Sequence, residues 1–362
     1  MMRRIPCVLM RGGSSKGLYF RATDLPRDPS VRDRVLLAAM GSPDRRQIDG
    51  LGGGDEQSSK VMIVGESPEP GVDVECLFAQ VSVARDVVDA TPDSGNMLSG
   101  VAPYAITHGF ANAAHPETIV HIRDLNTDRI VEALVQTPQG KVTYEGTYAL
   151  DDLGATGVPI VLRFIEPAGA RTGKLLPTGQ PLDEIEGVPT TCIDFGNPVV
   201  LVKASDLGKS GYETKQALDA DADLLARLES MRQAAAARMG LDPSNAGLPK
   251  LVLVAPPRAV GTIASRYFSP SRCHTGYALT GALSLVAACN IPGTVAARLV
   301  NADGADLSRI VIEHPTGQLE AGCTIVARSP EGIPSISAAT VVTTARPLFT
   351  GIALVQERES SN

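Results

Sequence analysis

None of the six cysteines (Cys7, Cys76, Cys192, Cys273, Cys289, Cys323) forms a CxxC pair, and the five histidines show no HxxxH or HExxH spacing. The first absence speaks against structural zinc and for a reducing compartment in which buried thiols stay unpaired. The second removes the usual helical metal site, so no metal is expected. Clustered basic charge is lacking too: 33 Lys and Arg face 40 Asp and Glu, for a formal charge of -7. A nucleic-acid surface needs the opposite, and any anionic ligand must be bound locally. The turn RGGSSKG at Arg11 lacks the GxxxxGK[ST] spacing of a phosphate loop. The longest uncharged apolar stretch, Thr275 to Ala297, is interrupted by Asn290, Pro292 and Gly293 and would span a bilayer poorly. The opening MMRRIPCVLMRGG has too short an apolar run for a signal peptide and reads as a first strand. A cytoplasmic protein with no membrane and no nucleic-acid partner is expected.

What is present is an ordinary globular composition, 43% apolar and 20% charged. At 362 residues the chain is long for one core and suits two domains. An internal repeat supports that division. A strand runs into a glycine turn at IPCVLM-RGGSSKG and again at TTCID-FGNPVVL, with Phe195 lying 184 positions after Arg11. A small-residue turn opens an uncharged helix at DSGNMLSGVAPYAI and again at YALTGALSLVAACNI, and Tyr277 lies 184 positions after Asp93. Agreement in order, spacing and type favours a duplicated domain over coincidence.

Strands are expected at Lys60 to Val64, Val72 to Ala84, Thr118 to Asp124, Gly157 to Ile165, Lys250 to Ala255, Arg309 to His314 and Ser337 to Thr343. A helix is expected near Ser30, and another from Asp219 that stops at Gly240. The helices after Ser94 and Thr280 are apolar nearly all round, which predicts burial on all sides inside a curved sheet. The Gly- and Pro-rich stretch Glu166 to Glu186 is the expected crossover. The halves are placed at 1–182, completed by a C-terminal strand at about 345–358, and at 183–344.

Helix starts of the kind Ser-Gly-Asn and Thr-Gly-Ala offer free N–H groups and a positive dipole end, which suit a carboxylate. The plainer alternative is that Ser94 and Thr280 only cap core helices. Arg11, Ser14, Ser15 and Lys16 sit where glycines let backbone approach a ligand, although Lys16 reads equally as a solvated turn residue. Lys60 stands where the polar loop DGLGGGDEQSSK becomes an apolar strand. Partial desolvation there would favour a neutral amine able to abstract a proton, whereas an edge lysine reaching for water is the simpler reading. His274, just before the second buried helix, could donate to a carboxylate.

The collinear set IPCVLMRGGSSKG, GSPDRRQIDGLGGGD, SSKVMIV, FAQVSV, SGN, LPTG, GNPVVL, GYETKQAL, RCHTGYALTGA, ACNIPGT, EHPTG and TARPLFTG resembles the PrpF-like isomerases over essentially the whole chain. These belong to the diaminopimelate epimerase fold and include 2-methylaconitate cis-trans isomerase and methylitaconate delta-isomerase. GSPDRRQIDGLGGGD, LFAQV and RCH look most like 4-oxalomesaconate tautomerase. The resemblance implies an α+β fold of duplicated domains, each a curved, mostly antiparallel sheet around a central helix, with the active site in the cleft between them. It implies a cofactor-independent proton shift in a small di- or tricarboxylate, 4-oxalomesaconate first and aconitate, methylaconitate or methylitaconate second. A homodimer is allowed, and a polycarboxylate-binding protein without catalysis is the rival class. Lys60 falls on the family's lysine base. The paired cysteines of the amino-acid epimerases fall on Ser94 and Ala278, neither of which ionises usefully, and Ser94 also departs from the CGN usual in the isomerases. Lys60 and Ser94 are thus the expected catalytic pair. The expected substrate contacts are Arg11, Ser14, Ser15, Lys16, Ser59, Gly95, Asn96, Met97, Thr178, Asn197, Arg266, His274, Thr280 and Gly281.

Overall fold

The repeat in the sequence is a repeat of topology. The computed structural model describes residues 2–151, 153–269, 272–300, 307–330 and 332–356. It divides into a first unit, Met1–Leu162 with Thr343–Asn362, and a second, Arg163–Val342. In the first, strand β1 (Met2–Gly12) turns back antiparallel into β2 (Ser15–Arg21), and β3 (Lys60–Glu66) lies parallel to β2. Strand β4 (Val74–Val81) runs antiparallel to β3, Glu117–Asp124 runs parallel to β4, and Arg129–Gln136 returns antiparallel. The second unit takes the same steps through Val188–Phe195, Asn197–Lys203, Lys250–Ala255, Ile263–Tyr267, Arg309–His314 and Gly317–Arg328. The C-terminal strand Ala345–Gln356 pairs along β1 and completes the first unit, while positions 357 and 358 lie outside the described residues.

Alternation along the strands gives each sheet two apolar faces. One face of the first unit packs Ile5, Cys7, Leu18, Phe20, Val61 and Ala353 against Leu36 and Met40 of helix α1 (Pro29–Met40). That helix is capped by Asp28, which accepts from Val31 N–H, and ends at Gly41 in the left-handed region. In the second unit Leu224, Leu228, Met231 and Met239 of helix Ala222–Met239 cover Cys192, Val200, Val202 and Leu253. The opposite face of each sheet receives the uncharged helix.

Two expectations need correction. The first unit's central helix is not continuous: α2 (Gly95–Leu98) makes one turn and α3 (Val101–Thr107) starts afresh after Ser99 and Gly100. Pro103 explains the break, because it has no N–H to return to Ser99 and is tolerated only in the first turn of a new helix. The second unit's helix, Leu279–Asn290, has no such residue and all of its side chains are buried. The boundary also moves from 182 to 162. Residues 163–182 go with the second unit because Asp194 ties them there: its backbone O accepts from Gly169 N–H, its N–H donates to Leu175 O, and its carboxylate accepts from Arg171 and Thr172 N–H.

Candidate active site

Lys60 opens β3 opposite Gly17 of β2, on the face that carries α2 and α3. A side chain at position 17 could not coexist with this arrangement: a Cβ there would lie 2.2 Å from Lys60 O and 2.6 Å from Met97 Cε. Glycine therefore lets α2 settle against the strand pair at the lysine. Lys60 Nζ donates to Ser15 Oγ at 2.9 Å and lies 5.8 Å from the centre of the Phe78 ring, which β4 supplies from beneath. Ser15 itself is almost wholly buried.

Hydrogen bonds fix the α2 turn above this lysine. Ser94 caps it, its Oγ accepting from Met97 N–H at 3.3 Å. Ser99 Oγ donates to Asn96 O at 2.6 Å, and the buried Tyr19 hydroxyl donates to Met97 O. Burial pushes the Tyr19 phenol well above its ordinary range. Ser14 N–H reaches Asn96 Oδ1 at 3.4 Å, a long bond that a better acceptor could displace. Ser14, Ser15, Lys60, Ser94, Gly95, Asn96 and Met97 are thus grouped on one face of one unit.

Other expected contacts are placed differently. Arg11 pairs with Lys16 in the hairpin, so both point to the face opposite Ser15 and Gly17. Arg11 Nη1 donates to the carbonyls of Gly13 and Thr344, each at 3.0 Å, and Lys16 Nζ lies against Gly53 of the glycine loop. Ser59 is fully buried, donates to Val81 O at 2.8 Å and accepts from Gln47 Nε2 at 2.7 Å, so it supports the lysine strand instead of a ligand. The same Gln47 donates to Ser42 Oγ and accepts from Gly54 N–H at 2.9 Å. Gln80 Nε2 donates to Ser59 O and Glu56 O. These two glutamines shape the loop leading to Lys60. Sequence reasoning passed over both, although Gln47 stands inside the QIDGLGGGD motif.

In the second unit Tyr267 gathers several candidates. Asn197 Nδ2 donates to its hydroxyl at 3.5 Å, His274 N–H donates to its carbonyl at 2.7 Å, and the His274 ring meets it edge-on with centroids 6.4 Å apart. Gly281 faces the ring so closely that a Cβ would lie 2.2 Å from Cε2, which makes it a packing requirement before anything else. The N-cap of this helix is Ala278, not Thr280, which lies buried in the first turn. Ala278 stands 184 positions after Ser94, so the two caps are equivalent. Arg266 donates to the carbonyls of Glu213 at 2.9 Å and Ser265 at 2.8 Å, and burial holds its guanidinium below its usual range. Thr178 Oγ1 donates to Asp183 at 2.7 Å. These two are engaged within the scaffold.

Among the described residues no group of three His, Cys, Asp or Glu side chains could hold a metal ion, and no helix is long and apolar enough to cross a membrane. All six cysteines are buried, and no disulfide joins them. Burial raises the thiols of Cys192, Cys273 and Cys289 to about 12.

Residues 2–356 match the family model described as PrpF protein. The chain belongs to the PrpF family. It is 46% identical over 352 residues to the Escherichia coli K12 protein named "Putative isomerase YbhH", covering 97% of this chain and 99% of that one. It is 45% identical over 353 residues to the 4-oxalomesaconate tautomerase of Pseudomonas putida, covering 97% and 96%. Among solved structures, a methylitaconate-delta-isomerase superposes with a TM-score of 0.81 at 33% identity, over 100% of this chain and 99% of that one. The duplicated α+β architecture is therefore shared with that methylitaconate-delta-isomerase.

Proposed function

We propose that this chain is an isomerase that moves a proton along a small unsaturated polycarboxylate, with Lys60 as the base. The observation that carries this is the placement of the Lys60 amine: held by Ser15 and over the Phe78 ring, on a strand whose backbone at Lys60 lies close to Met97 of α2 across Gly17. A neutral amine there can take a proton from carbon next to a carboxylate or carbonyl, leaving an extended enolate. Ser14 and Asn96, whose mutual bond is long, are proposed to hold one substrate carboxylate. The four-residue α2 has little dipole to offer, so charge stabilisation at Lys60 falls to hydrogen-bond donors.

The leading substrate is 4-oxalomesaconate, supported by 45% identity to a tautomerase of that name. A double-bond or cis-trans isomerase of methylitaconate, methylaconitate or aconitate is the second reading, favoured by the structural likeness to the methylitaconate enzyme. The six buried thiols suit a cytoplasmic setting. The test is proton NMR in heavy water with 4-oxalomesaconate, the aconitate isomers and methylitaconate, on wild type and Lys60→Met. One compound should isomerise and gain deuterium at the allylic carbon, and Lys60→Met should slow this by about 10²-fold or more. Binding without exchange by the wild type would instead make this a polycarboxylate-binding protein.

A further inference from the structure

A 1,3-proton shift needs a group that returns the proton as well as one that takes it. We propose that Lys60 does both: one amine removes the proton and redelivers it to the distal carbon on the same face of the substrate, with Ser15 steadying the amine while it carries the proton. This rests on the reading of Lys60 as the base.

Three observations support a single carrier. The cap of α2, Ser94, is a hydroxyl that does not ionise near neutral pH, and its oxygen is engaged with Met97 N–H. Two other acidic hydrogens of the first unit, those of Tyr19 and Cys7, are poorly placed to return a proton. The Tyr19 hydroxyl is fully buried and directed at Met97 O, while Cys7 packs in the core on the α1 side of the sheet. Burial pushes both groups up, which makes them worse proton donors. Finally, the surroundings of Nζ suit an ammonium ion, because Ser15 Oγ accepts its N–H and the face of an aromatic ring lies within reach of its charge.

The step balances without another reactant. The Nζ lone pair forms an N–H bond as the allylic C–H bond breaks, and the released electron pair spreads over the three carbons and their carboxylate or carbonyl. The same N–H bond then breaks as a C–H bond forms at the distal carbon, the double bond moves, and the amine is neutral again. Ser15 acts as a positioning residue, since its hydroxyl holds the amine.

The experiment uses wild-type protein and 4-oxalomesaconate. The compound is prepared with deuterium in each configuration at the carbon that loses its proton, which identifies the departing face. Unlabelled compound turned over in heavy water then identifies the receiving face of the distal carbon. Delivery to the face that lost the proton is expected. With labelled compound in ordinary water, some deuterium should reappear at the distal carbon, up to about one third where the three ammonium hydrogens scramble. Delivery to the opposite face would overturn the proposal and indicate a separate acid, while leaving Lys60 as base. No turnover of 4-oxalomesaconate, the aconitates or methylitaconate would instead remove the underlying reading.

Discussion

Lys60 Nζ and Ser15 Oγ, 45 residues apart in sequence, meet at 2.9 Å because β2 and β3 run parallel with Gly17 opposite Lys60. The contact fixes a flexible four-carbon side chain at one point, and misplacing a catalytic group by about 1 Å costs on the order of 10²-fold in rate. Ser15→Ala should therefore lower kcat about 10- to 100-fold and change KM little. Ser15→Thr, which keeps the hydroxyl, should recover much of the loss. A large rise in KM with kcat preserved would make Ser15 a substrate contact instead.

No thiol should take part in turnover. The six cysteines are buried, and three of them have thiols raised to about 12, where almost no thiolate exists at neutral pH. Titration of the native protein with an aromatic disulfide should show less than about one fast-reacting thiol, and six after unfolding. Iodoacetamide should leave activity intact. Rapid inactivation by stoichiometric alkylation would contradict this.

Gly281→Ala should destabilise the second unit by about 1–3 kcal/mol, since the new methyl must displace the Tyr267 ring from a packed core. The cost should shrink in a Tyr267→Leu background, where the ring is gone. Equal costs in the two backgrounds would show that the ring is not what excludes a side chain.

Much of this scaffold was legible from residue pattern. Lys250–Ala255 and Arg309–His314 were readable to the residue, because short apolar runs bounded by polar turns have few other uses. The start of β3 at Lys60 was legible for the same reason, as a polar loop gave way to VMIV. What a single chain does not display is which face a side chain takes, since that depends on strand register. Arg11, Lys16 and Ser59 stand beside Ser15 and Lys60 in sequence yet point away from them. Pro103 could have announced the broken helix, but the uniform apolarity of the segment hid it. Gln47 was illegible because its role comes from a left-handed backbone at φ 48°, which turns its amide back onto Ser42, Gly54 and Ser59.

The second unit carries a carboxylate whose charge holds a loop, and this gives a pH dependence of known sign. Burial alone would push the Glu313 carboxyl up. Hydrogen bonds from the N–H groups of Arg258 at 2.7 Å and of Ala259 and Gly261 at 2.8 Å, with the Arg266 charge nearby, outweigh burial and hold it below its ordinary value. A carboxylate that loses its proton more readily when folded contributes stability above its unfolded value, and that contribution is lost as pH falls through the folded one. Glu313→Gln keeps the shape but replaces one acceptor oxygen with a donor facing an N–H group. It should cost about 1–2 kcal/mol at pH 7.5, read as a fall of about 2–8 °C in Tm. The two proteins should converge only as pH falls from the ordinary glutamate value, about 4.3, through the lower value that Glu313 has in the fold. A Tm difference that stays constant from pH 7.5 down to about pH 2, below the ordinary carboxylate range, would mean that Glu313 acts through shape alone, and that its charge does not hold the Arg258–Gly261 turn.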